Sequence, residues 1–155
     1  MDKTRILFIC LGNICRSPMA EGIFKHVIKE RNLIQCFELD SAGTGAYHVG
    51  SMPDQRAKEV CEQNGIKLLH QARQVHVRDF EIFDYIIAMD THNFKHLQQM
   101  SSGSCLMMMR DFDVHAHADK NVPDPYYGGV EGFQKVYEML LHSSHGLVDH
   151  LMRKK

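Results

Sequence analysis

The stretch Ile6-Leu7-Phe8-Ile9-Cys10-Leu11-Gly12-Asn13-Ile14-Cys15-Arg16-Ser17-Pro18-Met19-Ala20-Glu21 changes character twice within a short span. Residues 6–9 are continuously apolar, as a strand buried on both faces should be, and the run stops at Cys10. From Ala20 onward the apolar residues return at helical spacing, with Ile23, Phe24, Val27 and Ile28 on one face. Pro18 suits a first helical turn, where a missing N–H costs nothing, and Glu21 is expected to complement the positive end of the dipole. A helix beginning near Ser17 follows, so the segment reads as strand, short loop, helix.

The same alternation continues along the chain. Phe37, Leu39 and Ser41 alternate with Glu38 and Asp40, and Gly43, Gly45 and Gly50 then mark a loop that reaches Pro53. The pattern predicts a helix over 54–64 with Gly65 as its stop, buried strands over 85–89 and 105–109, a helix over 91–100 between them, and a turn at 101–103. Phe133, Val136, Tyr137, Leu140, Leu141, Leu147, Val148 and Leu151 share one face of a long closing helix. Short buried strands alternating with helices require a parallel sheet covered on both sides. Ligands of such sheets bind beyond the carboxyl ends of the strands, where the loop over 10–16 must lie.

Composition narrows the classes of partner. The 155 residues, 44% hydrophobic and 24% charged, suit a single domain over 1–155 that builds its own core without metal or disulfide staples. Eighteen Lys and Arg against 19 Asp and Glu leave a formal charge of -1, so no global field draws in nucleic acid or an anionic membrane. The longest apolar run, residues 6–11, is too short to span a bilayer. Five cysteines, an odd number, fit a reducing cytoplasmic compartment with free thiols.

An anion must therefore be held locally, and the loop is suited to that. Between a strand end and a helix N-terminus the backbone N–H groups of Leu11, Gly12, Asn13, Ile14 and Cys15 can curl inward around a tetrahedral dianion. Arg16 can close this nest with bidentate hydrogen bonds to two oxygens, and the same positive surroundings favour the thiolate of Cys10. Ser17 can donate a hydrogen bond to that sulfur. With five cysteines, ordinary residue usage places a Cys, five residues, Arg and a hydroxyl in register by chance roughly 0.03 times per chain. Cys36, Cys61 and Cys105 lie in apolar patterns and read as packing residues.

A thiolate that attacks phosphorus leaves an alkoxide or phenoxide in need of a proton. Asp124, between Pro123 and Pro125, is the candidate acid, and Tyr126 and Tyr127 beside it suit the wall of a slot for an aromatic substrate. A nest wrapped around one phosphate also brings Cys15 near Cys10, within reach of a disulfide if Cys10 is oxidised.

These motifs, with Asp40-Ser41-Ala42-Gly43-Thr44, Pro53-Asp54-Gln55-Arg56-Ala57, residues 70–75, Met89-Asp90 and Asp124-Pro125-Tyr126-Tyr127, resemble the low-molecular-weight protein tyrosine phosphatases over nearly the whole chain. The resemblance implies a three-layer α/β/α, flavodoxin-like fold with a four-stranded parallel sheet and the phosphate loop after the first strand. It implies nucleophile Cys10, phosphate clamp Arg16, general acid Asp124, a phosphocysteine intermediate, and neither cofactor nor metal. It further implies that Asn13 is held strained by hydrogen bonds from Ser41 and His70, and that Tyr47 stands at the pocket rim. Implied partners are tyrosine-phosphorylated proteins, which for bacterial members include tyrosine kinases of polysaccharide export, with inorganic phosphate as product inhibitor. Gly45-Ala46 and Leu69 depart from the more polar residues usual there and bear on substrate preference.

Three other readings compete. An arsenate reductase of this fold needs a cysteine relay, but Thr91-His92-Asn93-Phe94 brings no cysteine after Asp90. A phosphotyrosine-binding module without turnover would be expected to lack Cys10 or Asp124, and both are present. His115 and His117 near Asp111, Asp113 and Asp119, and His92 with His96 at helical spacing, raise a metal site, although alternating histidines in a polar loop are more often solvated.

Overall fold

The computed structural model describes residues 2–101 and 105–154. Four parallel strands, β1 (Thr4–Cys10), β2 (Phe37–Gly43), β3 (Tyr85–Ala88) and β4 (Cys105–Met108), form one sheet in the order β2-β1-β3-β4. Around them lie α1 (Arg16–Glu30), α2 (Gln55–Glu62), the one-turn α3 (Asp79–Ile82), α4 (Thr91–Met100) and α5 (Val130–Arg153). This is the expected α/β architecture. Of the turn expected at 101–103, Ser102 and Gly103 lie outside the described residues.

Strand β1 is central, and its period of two sends side chains to two separate cores. Ile6, Phe8 and Cys10 join the larger one with the faces of α1 and α5. Leu7 and Ile9 join the smaller one with Phe80 and Leu97. Phe24 anchors α1, its ring 5.6 Å from Phe8 and 5.4 Å, edge-on, from Phe37. Removing such a ring costs about 3–5 kcal/mol, so the pose of α1 on the sheet is firmly held. The register pairs Cys10 with Gly43 and Ile9 with Ala88, which brings three strand ends together at one rim.

Several boundaries differ from the sequence reading. Helix α1 begins at Arg16, and Glu21 lies beyond its first turn, which carries no acidic side chain. Residues 16–20 are all buried, so the positive end of the helix is left open toward the loop. Helix α2 begins one residue late because Asp54 is its N-cap, accepting from the Arg56 N–H, and it ends at Glu62, before Gly65 turns left-handed at φ 77°. A 3-10 turn, Ile34–Cys36, and α3 were not anticipated. Cys105 opens β4 exposed and Cys36 is half-buried, so only Cys61 of the three expected packing cysteines is fully enclosed. Among the described residues no helix is long and apolar enough to cross a membrane.

Candidate active site

The loop after β1 is shaped by where its carbonyls go. Thr44 N–H donates to Cys10 O (2.9 Å), Gly45 N–H to Leu11 O (3.0 Å), Asp54 N–H to Ile14 O (2.8 Å) and Met19 N–H to Cys15 O (3.1 Å). In a trans peptide the N–H points opposite to the carbonyl it follows. Tying these four carbonyls outward therefore turns the N–H groups of Leu11, Gly12, Cys15 and Arg16 toward the opposite side, where they can hold an anion; of the N–H groups expected there, that of Asn13 points to the Cys10 sulfur instead. Gly43 permits the approach: a Cβ there would stand 2.6 Å from Leu11 O.

Asn13 adopts the left-handed conformation, φ 58°, that L side chains rarely take. Its amide holds it there. Nδ2 donates to Ser17 Oγ (2.7 Å) and Ser41 Oγ (3.1 Å), while Oδ1 accepts from Arg73 N–H (3.0 Å) and lies 2.8 Å from His70 Nε2. The expectation that Ser41 donates to Asn13 is corrected: Ser41 accepts from Asn13 and gives its own proton to Glu21 Oε1 (2.8 Å). Oδ1 is an acceptor, so His70 carries its proton on Nε2, and its Nδ1 faces Glu21 at 3.6 Å. Burial pushes the Glu21 carboxyl up to about 7 against the Ser41 hydrogen bond, with Asp40 adding to the rise. Burial likewise lowers the His70 pKa, Asp40 opposing.

Cys10 lies 2% exposed at the bottom of the nest. Its sulfur is 3.0 Å from Ser17 Oγ and accepts from Asn13 N–H at 3.3 Å. Ser17 Oγ accepts from Asn13, which leaves its own proton for the sulfur or for Ala42 O at 3.5 Å; toward a thiolate, which can only accept, Ser17 is the donor. Arg16 is 3% exposed, with Nη1 donating to Asp90 and to Val122 O (3.0 Å) and Nη2 3.6 Å from Asp124. Burial works against its charge, but Cys10, Asp90 and Asp124 together outweigh it and raise the guanidinium pKa.

Asp124 closes the pocket from above. Its Oδ1 accepts from Tyr126 N–H (3.0 Å), a tight turn that supplements the flanking prolines in aiming the carboxyl. The cavity, about 410 Å³, is lined by Cys10, Leu11, Gly12, Ile14, Cys15, Arg16, Tyr47, Asp124, Tyr126 and Tyr127 and by His48, which was not expected there; Asn13 and Ser17, which were, do not line it but support the loop and the sulfur. Tyr127 stands edge-on to Tyr126 at 5.0 Å, and Tyr47 and Tyr127 are largely exposed at the rim. Cys15 is buried beside the nest, and burial, then Asp54 and Cys10, push its thiol far above the usual range.

A sequence profile described as low molecular weight phosphotyrosine protein phosphatase matches residues 5–155. The chain belongs to that family. A phosphatase so named from Schizosaccharomyces pombe is 43% identical over 143 residues, covering 90% of this chain and 92% of the relative. The human protein of the same name is 37% identical, covering 86% of each. The crystal structure of a protein tyrosine phosphatase from Entamoeba histolytica superposes with a TM-score of 0.94 at 38% identity, covering 98% of this chain and 99% of that one. The molecule is thus a cysteine-dependent, metal-independent protein tyrosine phosphatase whose substrates are phosphoproteins.

Other residues of this phosphatase gain or lose significance. Asp90, which aims Arg16, and His48 carry no local signal for those roles beyond the capping pattern that Asp90 makes with Asn93 at the start of α4. Among the described residues the histidines at 92, 96, 115 and 117 join no set of three converging donors; His115 instead packs its ring 4.3 Å from that of His142. Among the described residues the one converging set is Glu21, Asp40 and His70, already engaged in supporting Asn13.

Proposed function

We propose that Cys10, Arg16 and Asp124 divide the hydrolysis of phosphotyrosine between them. The nest N–H groups and Arg16 hold the phosphoryl oxygens, and the Cys10 thiolate attacks phosphorus in line with the phenolic oxygen. An S–P bond forms as the P–O bond breaks, and protonated Asp124 gives its proton to the departing phenolate. Water then attacks the phosphocysteine while the Asp124 carboxylate takes its proton, and the Ser17 hydroxyl steadies the sulfur as it leaves. Inorganic phosphate remains in the same nest and so inhibits as product.

The observation that carries this reading is that buried Cys10 and the more exposed Asp124 line one cavity together with Arg16, whose Nη2 lies 3.6 Å from the Asp124 carboxylate. Tyr47, Tyr126 and Tyr127 supply aromatic walls for the tyrosyl ring. Such a slot takes a phosphotyrosine that projects from a phosphorylated protein, such as a bacterial tyrosine kinase. A nucleophilic thiol suits a reducing cytoplasm, where we place the enzyme.

Asp124→Ala should lower kcat/KM on phosphotyrosine by about 10² to 10⁴, the usual range for a general acid, and should remove the basic limb of the pH profile. The loss should be smaller on p-nitrophenyl phosphate, whose phenolate leaves more readily. An unchanged rate and basic limb would send the acid role to another carboxylate.

A further inference from the structure

Arg56 does not line the cavity, yet it is engaged on several sides. Its Nε and Nη2 meet the two oxygens of Asp54, each at 3.0 Å, in a fork that only a guanidinium can make. Nη2 also donates to Tyr126 O (2.9 Å) and Nη1 to Gly128 O (3.0 Å), carbonyls on the turn that carries Asp124. Its Cζ lies 4.6 Å from the Phe133 ring centroid and 5.6 Å from that of Tyr126, the residue whose N–H grips the Asp124 carboxyl. The Asp54 N–H, in turn, donates to Ile14 O of the phosphate loop. Four of the five guanidinium N–H bonds go to these protein oxygens, so Arg56 is a clip rather than a free cation awaiting substrate.

We propose that Arg56 is a positioning residue: through Asp54 it fastens the turn carrying Asp124 to the segment braced against the phosphate loop, and so keeps the acid above the thiolate. The inference rests on Asp124 being the general acid. The acid turn is exposed over residues 126–131 and bears two glycines in succession, Gly128 and Gly129. Its own bonds, Tyr126 N–H to Asp124 Oδ1 and Gly128 N–H to Pro125 O (2.9 Å), shape it locally, whereas Arg56 ties it to Asp54. Displacing a reacting group by about 1 Å can cost on the order of 10²-fold in rate. Release of the clip should therefore weaken proton delivery while leaving phosphate recognition, built from the nest and Arg16, as it was.

The test measures Arg56→Met and Arg56→Lys, each alone and with Asp124→Ala, on phosphotyrosine and on p-nitrophenyl phosphate, together with inhibition by inorganic phosphate. Arg56→Met should lose roughly 10- to 100-fold in kcat/KM on phosphotyrosine, distinctly less on p-nitrophenyl phosphate, and nothing in phosphate inhibition. Added to Asp124→Ala it should cost little more, because the group it positions is already gone. Arg56→Lys should recover only part of the loss, since an ammonium cannot span a carboxylate and two carbonyls. Equal losses on both substrates, full additivity with Asp124→Ala, weakened phosphate inhibition, or unfolding of both variants would overturn the proposal. If Asp124→Ala itself failed to discriminate between the two leaving groups, the general-acid reading would fall and this inference with it.

Discussion

Two cysteines five positions apart serve opposite ends here because their surroundings differ. Cys10 receives hydrogen bonds from Ser17 and Asn13. Burial, Asp54 and Cys10 keep Cys15 a thiol, so it does not compete for the phosphoryl group. Peroxide should oxidise Cys10 to the sulfenic acid; the Cys15 sulfur then attacks that sulfur, water leaves, and a disulfide remains that a dithiol reductant returns to two thiols. Proximity offsets the small thiolate fraction of Cys15. Peroxide-treated wild type should therefore regain activity with reductant, bound phosphate should protect it, and Cys15→Ser should recover poorly after long exposure. Equal recovery of the two proteins would leave Cys15 a packing role only.

At the scale of elements, the loop between β1 and α1 takes its shape from β2. Gly43→Ala would set a Cβ 2.6 Å from Leu11 O and 3.2 Å from the Gly12 carbonyl carbon, backbone atoms that no rotamer can move aside. We expect a stability loss of about 1–3 kcal/mol in urea denaturation, with weaker phosphate inhibition, as the loop is pushed outward. Unchanged phosphate inhibition would mean that the loop does not depend on this contact. Strands β1 and β3 were legible because buried strands read as apolar runs, β2 because its residues alternate, and α4 because Leu97 sits on a short periodic face; β4 also read as a buried run, but it lies at the sheet edge with only Met107 buried. The 3-10 turn at Ile34–Cys36 and the four-residue α3 are too short to show a period, and α3 depends on Arg73 reaching Asp79 at 3.1 Å. Cys10, Arg16 and Ser17 could be found because they share one loop. The motifs holding Asp90 and Arg56 stood out, but not what those residues do, since their partners Arg16 and Tyr126 lie far away in sequence and only folding joins them.

The whole molecule carries a formal charge of -1, so attraction of a phosphoprotein depends on the pocket and not on a global field. Its stability should nevertheless respond to pH through the buried support of Asn13. Glu21 rises from 4.5 to about 7 on folding, so between those values the folded state binds the extra proton and stability falls as pH rises. His70, lowered on folding, gives the opposite slope below 6.5. Comparing wild type with Glu21→Gln isolates the carboxyl: the variant should gain on wild type by on the order of 1–3 kcal/mol between pH 4.5 and 7.5. Parallel urea-denaturation curves across that range would show that Glu21 titrates as it does in the unfolded chain.

The account depends most on a covalent bond between phosphorus and the Cys10 sulfur. Rapid acid quenching of wild type during turnover of phosphotyrosine, followed by peptide mass analysis, tests it directly. The phosphoryl group should be found on Cys10, and Cys10→Ser should retain less than about a hundredth of the wild-type rate, since an un-ionised hydroxyl is a far weaker nucleophile. A phosphoryl group on any other residue, or turnover by Cys10→Ser near that of wild type, would contradict it.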